Sequence, residues 1–239
     1  ELARISMADV LGNLSVQEVG EGLTALTTAT LAGALDAAKL EWERSRGPLP
    51  IRFAMILMGR LGGHESGYGS DADVMFVHEP LPDAADPGSA AGCAQWLAQK
   101  VRSALAMPGQ DPPLEVDADL RPEGKSGPLV RSLDSYRTYY AKWSDTWEAQ
   151  ALLRAEAVVG DQALCEQFTK LIDPLRYPEG GLTDKEVREI RRIKARIETE
   201  RLPRGADPAT HLKLGRGGLA DVGWTIQLIQ MQHAHAVPA

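Results

Sequence analysis

The chain has 239 residues, 26 basic against 33 acidic side chains for a net charge of −7, and 44% hydrophobic residues. It is long for one domain and short for two, which predicts a main body with an appended lobe around a sizeable core. The acidic balance speaks against a nucleic-acid footprint, no stretch approaches the roughly 18 consecutive apolar residues of a membrane helix, and nothing reads as a signal peptide.

Residues 16–46 carry Leu23, Leu26, Leu31, Leu35, Leu40 and Trp42 among alanines and charges, which predicts one long or two short helices stopped at Gly47-Pro48. "IRFAMILM" (51–58) is nearly continuous in apolar residues and reads as a buried strand. Glycines 59, 62, 63, 67 and 69 then form a loop, and "DADVMFV" (71–77) is a second strand. Residues 80–92 read as loop, 91–106 as helix, "LEVDADL" (114–120) as a third strand and "RPEGKSGPL" as loop. From Ser132 onward strand signals vanish. "DSYRTYYAKWSDTWEAQALLRAEAVV" reads as two helices and "DQALCEQFTKLI" as a third. Residues 183–202 form a charged helix opening on a Thr183/Glu186 capping box, and "GGLADVGWTIQLIQMQHAH" is the last helix. The expected division is a sheet-containing domain over 1–130 and a helical lobe over 131–239. Cys93 and Cys165 show no metal or redox spacing and suggest a reducing, cytoplasmic setting. The chain opens on Glu1 rather than Met and reads as a piece of something longer.

The chemistry concentrates in "MGRLGGHESGYGSDADVMFVHEP" (58–80). Glycines let backbone amides approach an oxyanion closely, and on a strand Asp71 and Asp73 share one face. With Asp117 on the third strand, three acids fall on neighbouring strands, a set able to chelate two divalent cations that clamp a nucleotide's phosphates. Each ingredient alone is ordinary: a glycine-rich turn is more often only a turn, and Asp-x-Asp is often a solvated strand edge. The ordered set of strand, glycine loop, Ser-Asp-x-Asp strand and acid-bearing strand is far more specific.

That order resembles the nucleotidyltransferase fold of the polymerase-β type. More narrowly, "MGRLGGHESGYGSDADVMFV", "VDADLRPEGKSGPLVRS", "WEAQALLRAEAVVGD" and "HLKLGRGGLADVGWTIQL" are similar to the glutamine synthetase adenylyltransferase family, over nearly all of the chain from about residue 50. The resemblance implies an α+β class: a small mixed sheet with flanking helices, followed by an all-helical lobe. The family's enzyme has two homologous catalytic halves, one removing AMP from glutamine synthetase by phosphorolysis, the other transferring AMP from ATP onto a tyrosine of that protein. "ESGYGSDAD" and "VDADLRPEG" are closer to the transferring, C-terminal half. Removal, with ADP as product, is the first alternative; a non-catalytic nucleotide-binding regulatory module is the second.

Carried over residue by residue, the resemblance makes Asp71, Asp73 and Asp117 ligands of Mg²⁺ or Mn²⁺, with Asp117 also helping to deprotonate the tyrosine. Gly62, Gly63 and Ser70 would meet the triphosphate of ATP. Arg121 and Lys125 would either neutralise phosphate charge or act as loop-cap ion pairs. Asp119 stands where relatives often have Arg, and Gly223 where they usually carry Glu. Glutamine synthetase is the implied protein substrate, and a PII-type signalling protein the implied regulator of the full-length enzyme. Lys213 and Asp221 lie in the motif "LK.G.GGL.D" and either approach the site or begin a helix. Tyr136, Tyr139, Tyr140, Trp143 and Trp147 are expected to knit helices together. His233 and His235, two apart on a helix, face away from each other and make a poor metal pair.

Overall fold

The computed structural model describes residues 1–82, 87–109, 111–200 and 202–234. Part of the expected 80–92 loop, the end of the 183–202 helix and His235 lie outside the described residues. Contacts divide the chain into two compact units, residues 1–143 with 154–169, and 144–153 with 170–239.

The first unit opens on helix α1 (Leu2–Val10), followed by α2 (Val16–Arg46), a single helix. At the start of α2 the Glu18 amide donates to Ser15 Oγ and the Ser15 amide to the Glu18 carboxylate; Gly47, at φ +87, ends it. Strand β1 (Ile51–Leu57) leads through a short helical turn, α3 (Gly59–Gly62), to β2 (Ala72–Pro80). Helix α4 (Pro87–Leu105), β3 (Val116–Asp117), β4 (Val130–Ser132) and α5 (Leu133–Lys142) follow, then α6 (Thr146–Leu152), β5 (Glu156–Gly160) and α7 (Gln162–Arg176).

The sheet order is β3-β2-β1-β5, with β4 also pairing β2. β1 runs antiparallel to β2 and β5, while β3 and β4 run parallel to β2, so the sheet is mixed. Its alternation sorts side chains by face. Phe53, Met55 and Leu57 of β1 and Ala72, Val74 and Phe76 of β2 join Leu31 and Leu35 of α2 and Leu97 and Val101 of α4 in one core. Tyr136 of α5 is fully buried, donates to the Phe76 carbonyl at 3.3 Å, and meets Phe168 of α7 edge-on with ring centroids 5.2 Å apart.

Two strands lie where the sequence predicts none, β4 and β5. β5 is five residues on a sheet edge, between helix-forming stretches, and too short to show a period. The third strand is correspondingly shorter than "LEVDADL": only Val116 and Asp117 pair, because the chain turns at Asp119.

The second unit contains only helices among its described residues: α6, the end of α7, α8 (Asp184–Glu200) and α9 (Leu219–His233). The expected capping box at Thr183 is present, Glu186 Oε2 accepting from the Thr183 amide at 2.7 Å. Polar contacts join its helices. Thr146 Oγ1 donates to Glu189 Oε2 at 3.0 Å, Gln150 Nε2 to Gln227 Oε1 at 2.8 Å, and Lys194 Nζ lies 2.5 Å from Asp221 Oδ1. Among the described residues no helix is long and apolar enough to cross a membrane.

Candidate active site

β2 and β3 are parallel, with Ala72 opposite Val116 and Asp73 opposite Asp117. Parallel partners point to the same face, so this register brings two carboxylates side by side on the sheet. The Ala72 amide donates to the Glu115 carbonyl at 2.8 Å, which fixes the register at the strand's first residue. Asp117 is oriented further: its Oδ1 accepts the Asp119 amide at 2.6 Å, the bond that turns the chain out of the sheet.

Asp73 rests on a glycine. Gly59 has φ +56, and a Cβ built there would lie 2.4 Å from Asp73 Oδ2, so backbone conformation and space both require Gly. Sequence reasoning passed over Gly59; the available signal was its place immediately after the buried strand. Gly62 is constrained differently, since a Cβ there would meet the Arg154 carbonyl oxygen at 2.0 Å. The amides of Gly62 and Gly63, expected to meet a triphosphate, donate instead to the carbonyls of Met58 (2.9 Å) and Gly59 (3.2 Å). A helical turn in place of an open loop spends them internally. Ser70 Oγ accepts from the Gly67 amide at 3.1 Å, and the Ser70 amide returns a bond to the Gly67 carbonyl, also at 3.1 Å.

Asp71 sits just before β2 and is exposed. With Ser70, Arg102 and Glu115 it lines a cavity of about 660 Å³. Arg102, in the last turn of α4, donates to the Val116 carbonyl at 3.2 Å and brings a cation to this edge that no sequence pattern announced. Among the described residues, no group of three or more His, Cys, Asp or Glu side chains is gathered to hold a metal ion. The structure thus pairs Asp73 with Asp117 across two strands and leaves Asp71 exposed just before β2.

The basic residues after β3 serve their own loop. Arg121 is 8% exposed and donates to the carbonyls of Ala118 (2.7 Å) and Gly127 (3.2 Å). Lys125 Nζ lies 3.1 Å and Arg121 Nη1 3.5 Å from the Asp119 carboxylate. The hydrogen bond to Asp119 raises the Lys125 ammonium above its ordinary value. Both cations therefore take the loop-cap arrangement, and Asp119 is their ion-pair partner.

The other candidates serve their own elements. Tyr136, Tyr139 and Tyr140 cluster their rings along α5, Tyr136 alone of them reaching Phe168 of α7 among the ring contacts described, and Trp143 is 71% exposed. Asp221 holds the start of α9, accepting the Gly217 amide at 2.7 Å. Cys93 and Cys165 are free and buried, and burial pushes each thiol up to about 11.

Comparison with known proteins gives the chain's family. The model of the family GlnE, glutamate-ammonia ligase adenylyltransferase, matches residues 1–171. The bifunctional glutamine synthetase adenylyltransferase/adenylyl-removing enzyme of Mycobacterium avium (strain 104) is 57% identical over all of this chain and 24% of its own length. The enzymes of the same name from Nocardia farcinica and Streptomyces coelicolor are 56% and 54% identical over 99% of the chain, covering 24% and 25% of their lengths. The chain spans about a quarter of the length of these curated relatives. A family match over 171 residues, on a sheet edge carrying the paired Asp73 and Asp117, shows that the chain belongs to the glutamate-ammonia ligase adenylyltransferase family.

Proposed function

We propose that this chain is the adenylylating part of a two-headed enzyme and transfers AMP from ATP onto a tyrosine of glutamine synthetase, releasing pyrophosphate. The single observation that carries the reading is the Asp73–Asp117 pair, held in register between parallel strands and oriented by Gly59 and the Asp119 amide. Two neighbouring carboxylates fit a small hard cation such as Mg²⁺ or Mn²⁺, which takes one or two protein oxygens and completes its shell with water and phosphate. Asp73 and Asp117 would hold it, with Asp71 joining from just before β2. Such an ion, when bound, supplies charge neutralisation at the transferring phosphate.

The chain's own residues do the positioning. Gly59 keeps the space beside Asp73 clear, and the turn it begins fixes where a polyphosphate can lie. Gly62 and Gly63 act through the tight turn they permit, and Ser70 through the turn it closes before β2. Asp117 would accept the phenolic proton as the tyrosine oxygen attacks the α-phosphorus. Arg121 and Lys125 contribute positive potential while bracing the loop around Asp119. The first unit, which contains all of these residues, is the catalytic one; a PII-type signalling protein would act through the longer enzyme.

The test is transfer of label from α-labelled ATP to glutamine synthetase by this chain. Labelled glutamine synthetase with equimolar pyrophosphate is expected. ADP formation from AMP-modified glutamine synthetase and phosphate, without forward transfer, would overturn the assignment in favour of removal.

A further inference from the structure

The turn that carries Gly59 is braced from outside by the start of β5. Arg154, two residues before that strand, closes on it with backbone and side chain together. Its carbonyl oxygen occupies the place a Gly62 Cβ would need, and its Cδ would lie 3.5 Å from a Cβ at Gly63. Its guanidinium Nη2 is 3.2 Å from Glu65 Oε2, and Glu156 Oε2 lies 3.0 Å from His64 Nε2. Loop and strand therefore present their groups in complementary order, His64 to Glu156 and Glu65 to Arg154. From the other side, Thr24 of α2 donates to Ser66 Oγ at 3.0 Å, both residues buried, and Arg60 Nε donates to the Glu65 carbonyl at 2.8 Å. His64 has φ +57, a conformation uncommon for a residue with a Cβ, so these partners impose the loop's shape.

We propose that Arg154 is a positioning residue for nucleotide binding: by pairing with Glu65 it draws a carboxylate off the path of the polyphosphate and locks the Gly59–Gly63 turn. This rests on the reading of that turn as nucleotide-facing. An unpaired carboxylate beside a triphosphate repels it, whereas a guanidinium held on that carboxylate cancels the charge and fixes its direction. The two side chains are 29% and 56% exposed, so the pair adds little to global stability; its effect is on the shape and potential of the loop.

The test is the affinity of the chain for a non-hydrolysable ATP analogue with Mg²⁺, measured by titration calorimetry beside thermal unfolding without nucleotide. Arg154→Glu, which leaves two carboxylates beside the nucleotide, should weaken binding by about tenfold or more, and Glu65→Arg, which breaks the pairing but adds positive charge, by less, with melting temperatures within about 4 °C of wild type. The double swap should recover most of the affinity, and Glu65→Gln should weaken it by about threefold. Should either reversal fail to fold, Arg154→Met combined with Glu65→Gln takes its place and should still bind several-fold more weakly. Reversals that bind like wild type overturn the clamp. A swap that stays weak beside an unaffected Glu65→Gln overturns it too, since Arg154 would then contact nucleotide itself. Wild type that binds no analogue overturns the nucleotidyltransferase reading and the clamp with it.

Discussion

In the first unit, Met55, Leu57, Val74 and Phe76 are wholly buried between helices; in the second, only Leu152, Ile172, Ile190 and Met231 are buried apolar side chains among the described residues. On α9, Leu219, Val222, Ile226 and Ile229 are each more than half exposed. The polar contacts reverse that balance, for Gln150 with Gln227, Thr146 with Glu189 and Lys194 with Asp221 tie the second unit's helices to one another. Burial of apolar area responds little to moderate salt and to pH, whereas ion pairs are screened by salt and lost when pH neutralises a partner. The sheet's core should therefore keep its stability as salt changes and respond to acid only through a buried titratable group such as His78, while the helical unit should respond to salt and pH through its ion pairs.

The largest expected effect is catalytic and leaves the core untouched. Asp73→Asn and Asp117→Asn should each lower AMP transfer by about 100-fold or more, because each removes a charge aimed at the reacting phosphate. Neither should much lower the melting temperature of the nucleotide-free protein, since asparagine keeps the side chain's shape and an oxygen able to accept a hydrogen bond such as that of the Asp119 amide. An Asp73→Asn variant with wild-type transfer would sink the assignment of the site.

Phe76→Ala comes next. This side chain is fully buried between β2 and the α2–α4 layer, so truncation should cost about 3–5 kcal/mol by chemical denaturation. The loss should be the same at low and high salt. A strong salt dependence would break the contrast between the units.

In the second unit, the Lys194 ammonium and the Gly217 amide hold the Asp221 carboxyl below its usual value. A depressed native value means stability present above the unfolded value of about 4 and lost as pH falls through the native one. Amide exchange of residues 219–233 should therefore be faster in Asp221→Asn than in wild type at pH 6, with the gap closing below about pH 4. Exchange in β1 should be unaffected. A gap that persists in acid would show that Asp221 acts through shape rather than charge.

His78 gives the same sign in the sheet, at a higher pH. Burial lowers its imidazole below the ordinary value, so the unfolded chain takes up a proton before the folded one does. Stability should fall as pH drops below about 6.5, and His78→Gln should flatten that slope even if it is less stable at pH 8. An unchanged slope would assign the acid sensitivity to other groups.

What the sequence made legible follows the same division. β1 was readable because it is buried on both faces and hence continuously apolar, and the Asp73 strand because a glycine loop precedes it. β5 was not, since an edge strand of five residues with Val158 exposed and Val159 buried carries no lasting period. The contact of Gly59 with Asp73 follows from backbone shape, which residue spacing does not encode. Arg121 and Lys125 read equally as phosphate partners or loop caps, and their ion pairs with Asp119 are visible only in the folded loop. Arg154 and Glu65 are far apart in the chain and meet only because β5 pairs with β1.

Gly223 carries the smallest expected effect and the finest test of the comparison. It lies inside α9, where a Cβ would meet nothing within 4 Å, so no packing requires glycine. A glycine within a helix costs about 1 kcal/mol relative to alanine, which makes Gly223→Ala a stabilising change of at most that size. Family resemblance places an acid, usually Glu, at this position, and two accounts of that acid compete. If it served only as a helix former, Gly223→Ala and Gly223→Glu should melt alike above wild type and transfer AMP at equal rates. If it served the site, only the Glu variant should transfer faster. The open space around Gly223 favours the first account, and a Glu variant several-fold faster than the Ala variant would reverse it.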